Sequence, residues 1–186
     1  SEGVPSRKIH GVGNTVLDNL VGVEVTDEHK ILVTMHRREN HARIEDWFDA
    51  IDKLASRNKA YEFCLPVHPN PAVKEKAKTL NNLKIVEPMS HEKLVKYLSS
   101  CSYVITDSGG IQEEAAFFRK PCLVCRDETE RHEGLDNFSL LCKKPEDLAR
   151  LCSQLDNLQM KGECPYGDGN ASKKIVEILN EHSYTG

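Results

Sequence analysis

The sequence predicts an α/β domain of three layers, with helices on both faces of a parallel sheet. Short β-branched runs alternate along the chain with amphipathic helical stretches, an order that is typical of βα units. Within Glu39–Arg57 the apolar residues fall at helical spacing on one face, which we expect to pack on the sheet. The length of 186 residues suits a single domain with one sizeable core.

The individual elements follow from the same alternation. The expected strands are rich in β-branched and other apolar residues and lie at Lys30–Met35, Tyr61–Val67, Leu83–Val86, Tyr103–Thr106, Cys122–Cys125 and Ser139–Leu141. The expected helices lie at Asn14–Val21, Glu39–Arg57, Pro71–Leu80, His91–Ser100, Gly110–Phe118, Pro145–Leu155 and Ala171–His182. Gln159–Asn170, which contains glycines and a proline, is expected to be a surface loop.

The charge balance excludes several classes of partner. Charged residues make up 29% of the chain and the net charge is -4, so no uniform basic field is present for non-specific nucleic-acid binding. No apolar run approaches the ~18–20 residues that span a bilayer, and the N-terminal segment lacks the apolar core of a signal peptide. We therefore expect a cytoplasmic protein, without a nucleic-acid or membrane partner, in which a local cluster holds any bound anion.

The seven cysteines are odd in number and scattered, which argues against a disulfide framework. Cys122 and Cys125 have the CxxC spacing of some zinc and redox sites. They lie, however, in a short apolar run that predicts a buried strand, where positions i and i+3 point to opposite faces. Because two residues on opposite faces cannot share a metal ion, we predict no metal site and interpret both as core residues.

Polar and charged residues follow four of the predicted strands. In an open parallel sheet, ligands bind outside the carboxyl ends of the strands, so these residues are expected to converge on one rim. They are His36, Arg37 and Arg38 after the first strand, His68 and Asn70 after the second, Asp107 to Gly110 after the fourth, and Arg126 to Arg131 after the fifth.

The segment Ser108-Gly109-Gly110 opens a predicted helix. Its bare backbone N–H groups, at the positive end of the helix, favour a phosphate group, and the Ser108 hydroxyl can donate to the same anion. About one turn later, Glu114 is placed to accept the hydroxyls of a ribose. The alternative is an ordinary Ser/Gly helix cap with a solvated acidic face, and the motif by itself favours that alternative.

The cationic residues also have two interpretations. Arginine forks suit diphosphate oxygens and a histidine suits proton transfer, but an Arg-Arg-Glu segment at a helix start is also typical of an exposed ion-pair cluster. His68 precedes a rigid bend that Pro69 and Pro71 make around Asn70, and it has either a turn role or a ligand role. Arg126 and Arg131 bracket acidic residues that either arginine could simply neutralise.

Six motifs then identify a family that this chain resembles, the bacterial non-hydrolysing UDP-N-acetylglucosamine 2-epimerases. In chain order they are GNTVLD, HRREN, VHPNP, TDSGGIQEEA, RDETERHEG and PYGDGNAS. The match covers essentially the whole chain, and it departs from the family's pattern at His91 and Leu94, where aromatic residues are expected beside the uracil.

The resemblance implies a Rossmann-like domain that forms the C-terminal half of a glycosyltransferase-B type fold. Members of the family eliminate UDP from UDP-N-acetylglucosamine and add it back to give UDP-N-acetylmannosamine, a product of the kind used in polysaccharide biosynthesis, without a nicotinamide or metal cofactor. Residues 1–13 would be the remnant of an interdomain linker and residues 14–186 the nucleotide-binding domain. The proton-transferring carboxylates would lie in an N-terminal domain that this chain lacks, and the full-length protein is a candidate homodimer.

The resemblance also assigns roles to residues. His36 matches the catalytic histidine, Arg37 and His68 match positions implicated in binding an effector UDP-sugar, and the Ser-Gly-Gly turn with Glu114 matches the diphosphate and ribose contacts. The full set of candidates is His36 for catalysis, Arg37, Ser108, Gly109, Gly110, Glu114, Arg126 and Arg131 for UDP binding, and Arg38, His68 and Asn70 for effector or substrate contact.

Two other functions fit the same residues. One is a stand-alone regulatory module that binds UDP-sugars, and the other is the donor-binding half of a UDP-sugar glycosyltransferase. The gene sequence upstream of Ser1 separates them, because a preceding Rossmann-like segment that carries the family's carboxylates favours the epimerase. If the chain is half of an epimerase, we expect it to bind UDP or a UDP-sugar weakly by itself and not to turn over substrate.

Overall fold

All neighbouring strands of the central sheet run parallel in the computed structural model of this protein. The structure describes residues 3–183, with the side chains of residues 7, 72, 182 and 183 left undescribed. Residues 1, 2 and 184–186, at the ends of the predicted linker and domain, lie outside the described residues. The strands are β1 (Lys30–Thr34), β2 (Glu62–Pro66), β3 (Lys84–Val86), β4 (Cys101–Thr106), β5 (Cys122–Cys125) and β6 (Ser139–Cys142). The sequence therefore predicted every strand of the described chain, with ends that differ by at most two residues.

The strand order is β3-β2-β1-β4-β5-β6, the doubly wound order of Rossmann-like domains. The chain leaves the sheet centre in one direction after β1 and returns to the other side of it at β4. Such a reversal opens a crevice at the carboxyl ends of the two central strands. Thr34 pairs with Thr106 across this junction, and their hydroxyls hydrogen-bond at 2.5 Å.

The α-helices are α1 (Ile44–Arg57), α2 (Pro71–Ala77), α3 (His91–Ser99), α4 (Gly109–Phe117), α5 (Leu148–Cys152) and α6 (Ala171–Ser183). α1 presents a stripe that includes the buried Trp47 and Phe48 to one face of the sheet, where α2 and α5 also contribute to the core. α3 and α4 pack on the other face. These three layers confirm the predicted fold class. None of the described helices is long and apolar enough to cross a membrane.

Three predicted helices have a different form. Asn14–Val21 is a 3-10 helix over Thr15–Leu20, and it places Leu17 and Leu20, three residues apart, together in the core. Glu39–Arg57 begins with a 3-10 segment at Arg38–Arg43 before α1. Pro145–Leu155 is divided into a 3-10 turn, α5 and a second 3-10 turn. α5 ends where the Ser153 hydroxyl donates to the Arg150 carbonyl, a side-chain bond that competes with helix continuation.

The cysteine pair behaves as its strand position predicts. Cys122 packs in the core on one face of the sheet, and Cys125 packs in the core on the opposite face. All seven cysteines are free thiols, and burial raises the pKa of Cys122 to about 12, which keeps it in the neutral thiol form. The described residues contain no group of three or more His, Cys, Asp or Glu side chains placed to hold a metal ion.

α4 ends in a Schellman motif at a residue that is not glycine. Lys120 N–H donates to the Ala115 carbonyl at 2.8 Å and Arg119 N–H donates to Ala116 at 3.1 Å. Arg119 occupies the left-handed position with φ +53°. Its guanidinium donates to the carbonyls of Met160 and Gly162, so the residue that terminates α4 also fastens the loop before α6.

Arg119→Gly is expected to be more stable than Arg119→Ala by about 1 kcal/mol, because both lose the guanidinium bonds but only glycine adopts φ +53° without a Cβ penalty. Urea unfolding of the two variants measures the difference. Equal stability, or a more stable alanine variant, would contradict the assigned left-handed conformation.

Candidate functional site

A cavity of about 260 Å³ opens at the carboxyl ends of β1, β2 and β4. His36 and His68 line it from the first two strands, Ser108 and Ile111 from the start of α4, and Leu94 from α3. The structure therefore brings together His36, His68 and Ser108, as the sequence predicted. The site lies at the point where the strand order reverses, where ligands of open α/β sheets bind.

The turn into α4 leaves its donors accessible. Ser108 is the N-cap residue, with an extended backbone, yet its hydroxyl makes no capping hydrogen bond to the helix. Gly110 is exposed, and a Cβ placed on it would meet only the Ser108 Oγ, at 4.0 Å. The space around Gly110 at the start of the helix and a Ser108 hydroxyl that does not cap the helix favour the anion-binding interpretation of this turn over an ordinary cap.

Arg131 brings a positive charge to the same turn. A Cβ on Gly109 would lie 3.1 Å from the Arg131 Cζ, so the glycine allows the guanidinium to lie against the backbone. Arg131 Nε donates to Glu113 at 2.7 Å, and Glu113, 6% exposed, also accepts from the Asn14 side chain. These partly buried contacts hold Arg131 beside the helix N-terminus.

The first and last family motifs, GNTVLD and PYGDGNAS, contact each other and the segment that carries Arg131. Asn14 N–H donates to the Tyr166 carbonyl at 2.8 Å, and the Tyr166 hydroxyl donates to the Arg131 carbonyl at 3.2 Å. Gly13, at φ +86°, allows the two segments to meet, since a Cβ there would lie 2.9 Å from the Gly167 Cα. Gln159–Asn170, predicted as a surface loop, thus contacts the backbone at Asn14 and Arg131 through Tyr166.

Glu114 is buried and only half satisfied. Its side chain is 5% exposed, one oxygen lies 3.1 Å from the His91 Nε2, and the other oxygen is buried without a hydrogen-bond partner. Burial raises the pKa of Glu114, against a smaller lowering by His91. A buried acceptor without a donor is costly, and a ligand hydroxyl in the site would satisfy it.

His68 has the turn role that its sequence context suggested, and its ring also lines the cavity. Its Nδ1 accepts the Asn70 N–H at 3.2 Å, which rigidifies the turn before α2. Its ring also stacks on the His36 ring, with centroids 5.9 Å apart and planes 11° from parallel. His68 therefore forms part of the cavity wall, whereas Asn70 does not line the cavity.

Arg37, Arg126 and Arg131 share one carboxylate. Glu130 lies 2.6 Å from Arg126 and 3.3 Å from each of the other two arginines. Its own backbone N–H, then Arg126 and Arg37, lower the pKa of Glu130 to about 2. Arg126 is 8% exposed and also donates to Glu39 at 2.8 Å, so its charge is neutralised within the protein on two sides. Arg38 is exposed at the start of the 3-10 segment.

Sequence reasoning placed Asp107 on the rim but gave it no role, and it missed Glu113. Asp107 is fully buried at the end of β4 and accepts hydrogen bonds from the β1 side of the crevice, and Glu113 holds Arg131. The signal for Asp107 was its position directly after a strand at the predicted rim. Glu113 gave no such signal, because two adjacent glutamates in a helix give no indication of which one is buried.

Comparison with known proteins identifies the family. The sequence profile described as UDP-N-acetylglucosamine 2-epimerase matches residues 1–180. The chain belongs to this family. A relative from Neisseria meningitidis serogroup A, named UDP-N-acetylglucosamine 2-epimerase, is 35% identical over 96% of this chain and 57% of its own length.

Solved structures agree with this assignment. The crystal structure of UDP-GlcNAc 2-epimerase from Neisseria meningitidis bound to UDP-GlcNAc superposes with a TM-score of 0.83 and 32% identity, over 97% of this chain and 57% of that one. An E. coli heptosyltransferase, at 17% identity and a TM-score of 0.51 over 96% of this chain and 52% of its own, shares the fold alone. The chain thus spans a little over half the length of the epimerases that it matches, and its fold is half of a glycosyltransferase-B type fold.

Glu114→Gln is expected to raise the free energy of unfolding at pH 7 by about 1 kcal/mol, because it removes charge from a buried, half-satisfied carboxyl. The pKa is raised in the folded state, so the folded protein binds the proton more tightly and wild-type stability falls as the pH rises above about 4.5. The stability difference should therefore disappear at pH 4.

Urea unfolding at both pH values tests this expectation. Glu128→Gln, at an exposed position, serves as the matched control and should change little. A pH-independent difference for Glu114→Gln, or a loss of stability at pH 7, would show that the carboxylate is satisfied in the folded protein.

Proposed function

We propose that this chain is the UDP-binding half of an enzyme that interconverts UDP-N-acetylglucosamine and UDP-N-acetylmannosamine. In that reaction the bond between C1 of the sugar and the diphosphate oxygen breaks, the proton on C2 leaves, and UDP departs from 2-acetamidoglucal. UDP then adds back and C2 receives a proton on the opposite face. The half that binds UDP must stabilise the negative charge that collects on the departing diphosphate.

The observation that carries the proposal is the turn that opens α4 inside the same cavity as His36. The Ser108 hydroxyl, the backbone N–H of the exposed Gly110 and the Arg131 guanidinium against Gly109 are three kinds of donor around one turn. These donors are already in place before a ligand arrives, so they need no reorganisation as charge develops.

Glu114 and His36 supply the remaining contacts in this proposal. The unpartnered oxygen of Glu114 lies one helical turn beyond the phosphate turn, where it would accept a hydroxyl of the ribose. His36 would contact the diphosphate as it leaves the sugar. The relative solved with UDP-GlcNAc supports a ligand of this class for the family.

The proposal divides the chemistry between two halves. Proton transfer at C2 belongs to carboxylates of a second Rossmann-like domain, and no nicotinamide or metal is used. Residues 1–13 stay a predicted linker to that domain. By themselves, residues 1–186 are expected to bind UDP weakly and not to turn over UDP-sugar, because the proposal assigns the other side of the cleft and its acids and bases to the second domain.

Gly110→Leu is expected to weaken UDP binding by about tenfold or more, because its side chain would fill the space in front of the helix N–H groups. Gly11→Leu is the matched control, since Gly11 is also exposed with open space around it and lies near α6. Calorimetric titration with UDP measures both. Equal affinity of the Gly110→Leu variant and the wild type would place the diphosphate elsewhere.

His36→Ala is expected to weaken UDP binding by about tenfold, the cost of one hydrogen bond to a charged group. The same titration measures it, with His132→Ala, outside the cavity, as the control for loss of a histidine. If His36→Ala leaves the UDP affinity unchanged, His36 does not contact UDP, and the stand-alone binding module is favoured over the epimerase.

A further inference from the structure

Asp107 joins the ends of the two central strands. It is fully buried, and its N–H donates to the Thr34 carbonyl at 3.1 Å. Its carboxylate accepts the His36 N–H at 3.1 and 3.0 Å, the Arg37 N–H at 2.9 Å and the Asn40 side-chain amide at 3.0 Å. Asn40 in turn donates to the Cys125 carbonyl at 3.0 Å, which ties the cluster to β5.

The hydrogen bonds that Asp107 accepts leave its Oδ1 available to the His36 ring. Oδ2 of Asp107 receives three of the N–H groups, whereas Oδ1 shares one of them and lies 3.3 Å from the His36 Nδ1. The backbone and amide partners of Asp107 are donors only, so the carboxylate acts as their acceptor. An acceptor opposite Nδ1 requires that this ring nitrogen carry the hydrogen.

Stacking on His68 also restrains the orientation of the His36 ring. His36 stacks on His68, and the two nearly parallel rings leave the His36 side chain 41% exposed at the cavity. With one ring face on His68 and Nδ1 toward Asp107, Nε2 is the ring nitrogen that remains for a ligand.

We infer that Asp107 is a positioning residue that holds His36 as the Nδ1–H tautomer and directs Nε2 to the ligand. The inference deepens the proposed function, since it names the atom through which His36 acts. Neutral Nε2 accepts a proton, and protonated Nε2 donates a hydrogen bond to a diphosphate oxygen, while Nδ1–H stays on Asp107 in both states.

Long-range ¹H–¹⁵N NMR spectra of the histidine rings, recorded on the whole chain at pH 8.5, test the tautomer without any ligand. The His36 signals are identified by their loss in His36→Gln. We expect a protonated Nδ1 and an unprotonated Nε2 in the wild type. In Asp107→Asn, the new amide group donates to Nδ1, and the population should move to Nε2–H.

Asp127→Asn is the matched control, because Asp127 is an exposed aspartate after the neighbouring strand. It should leave the His36 signals unchanged. A wild-type His36 in the Nε2–H form overturns the inference, even if Asp107→Asn does not fold. An Asp107→Asn variant that folds and keeps Nδ1–H overturns it as well.

A UDP titration separates positioning from a general structural role. We expect Asp107→Asn to weaken UDP binding about fivefold, and the double variant with His36→Ala to bind no more weakly than His36→Ala alone. If the two losses of UDP affinity are additive, Asp107 affects binding independently of His36, which overturns the inference. Failure of the wild type to bind UDP would refute the proposed function, while the NMR result would still decide the tautomer.

Discussion

The pairing of β1 with β4 at the centre of the sheet is the constraint on which the site depends. Thr34 stands opposite Thr106 in the register, so the residues that follow the two strands emerge as neighbours although they are about 70 positions apart in the chain. His36 and Asp107 meet for this reason, and Ser108 opens α4 beside them. A shift of the register by one residue would turn each strand's side chains to the opposite face and separate these groups.

The rim of the crevice is electrically balanced within the protein. Each of the three arginines Arg37, Arg126 and Arg131 has a carboxylate partner, and Glu130 contacts all three. This balance is consistent with the net charge of -4, because no excess of positive charge draws anions to the whole surface. In the proposed function, a small set of donors at the α4 turn would hold the anion instead.

Several features of the site lower the stability of the folded protein. Glu114 keeps a buried oxygen without a donor, and Ser108 does not use its hydroxyl to cap α4. Elsewhere the same local requirements are met, as at Asp18, whose carboxylate accepts the Ala171 and Ser172 N–H groups at the start of α6. Groups left unsatisfied in a well-satisfied fold are expected where a ligand completes the structure.

The sequence by itself determined the class of fold and the rim on which the candidate residues lie. Alternating β-branched and amphipathic stretches predict parallel strands with helices between them, and parallel strands present their carboxyl ends at one edge. The CxxC pair was interpreted correctly for the same local reason, since strand periodicity places Cys122 and Cys125 on opposite faces. Local spacing predicted the type of helix less well where a segment is short. Thr15–Leu20 is a 3-10 helix, because that form buries both Leu17 and Leu20 in the core.

Only the tertiary structure decided which charged residues are buried and with whom they pair. Arg126 and Arg131 occupy the same run of sequence, yet one is enclosed by Glu39 and Glu130 and the other lies against Gly109 at the helix N-terminus. Asp107 became the anchor of His36, and Glu113 that of Arg131, through contacts between residues 18 or more positions apart. Periodicity reports the face on which a residue lies, whereas partners across the crevice depend on strand order and register, which only the folded chain establishes.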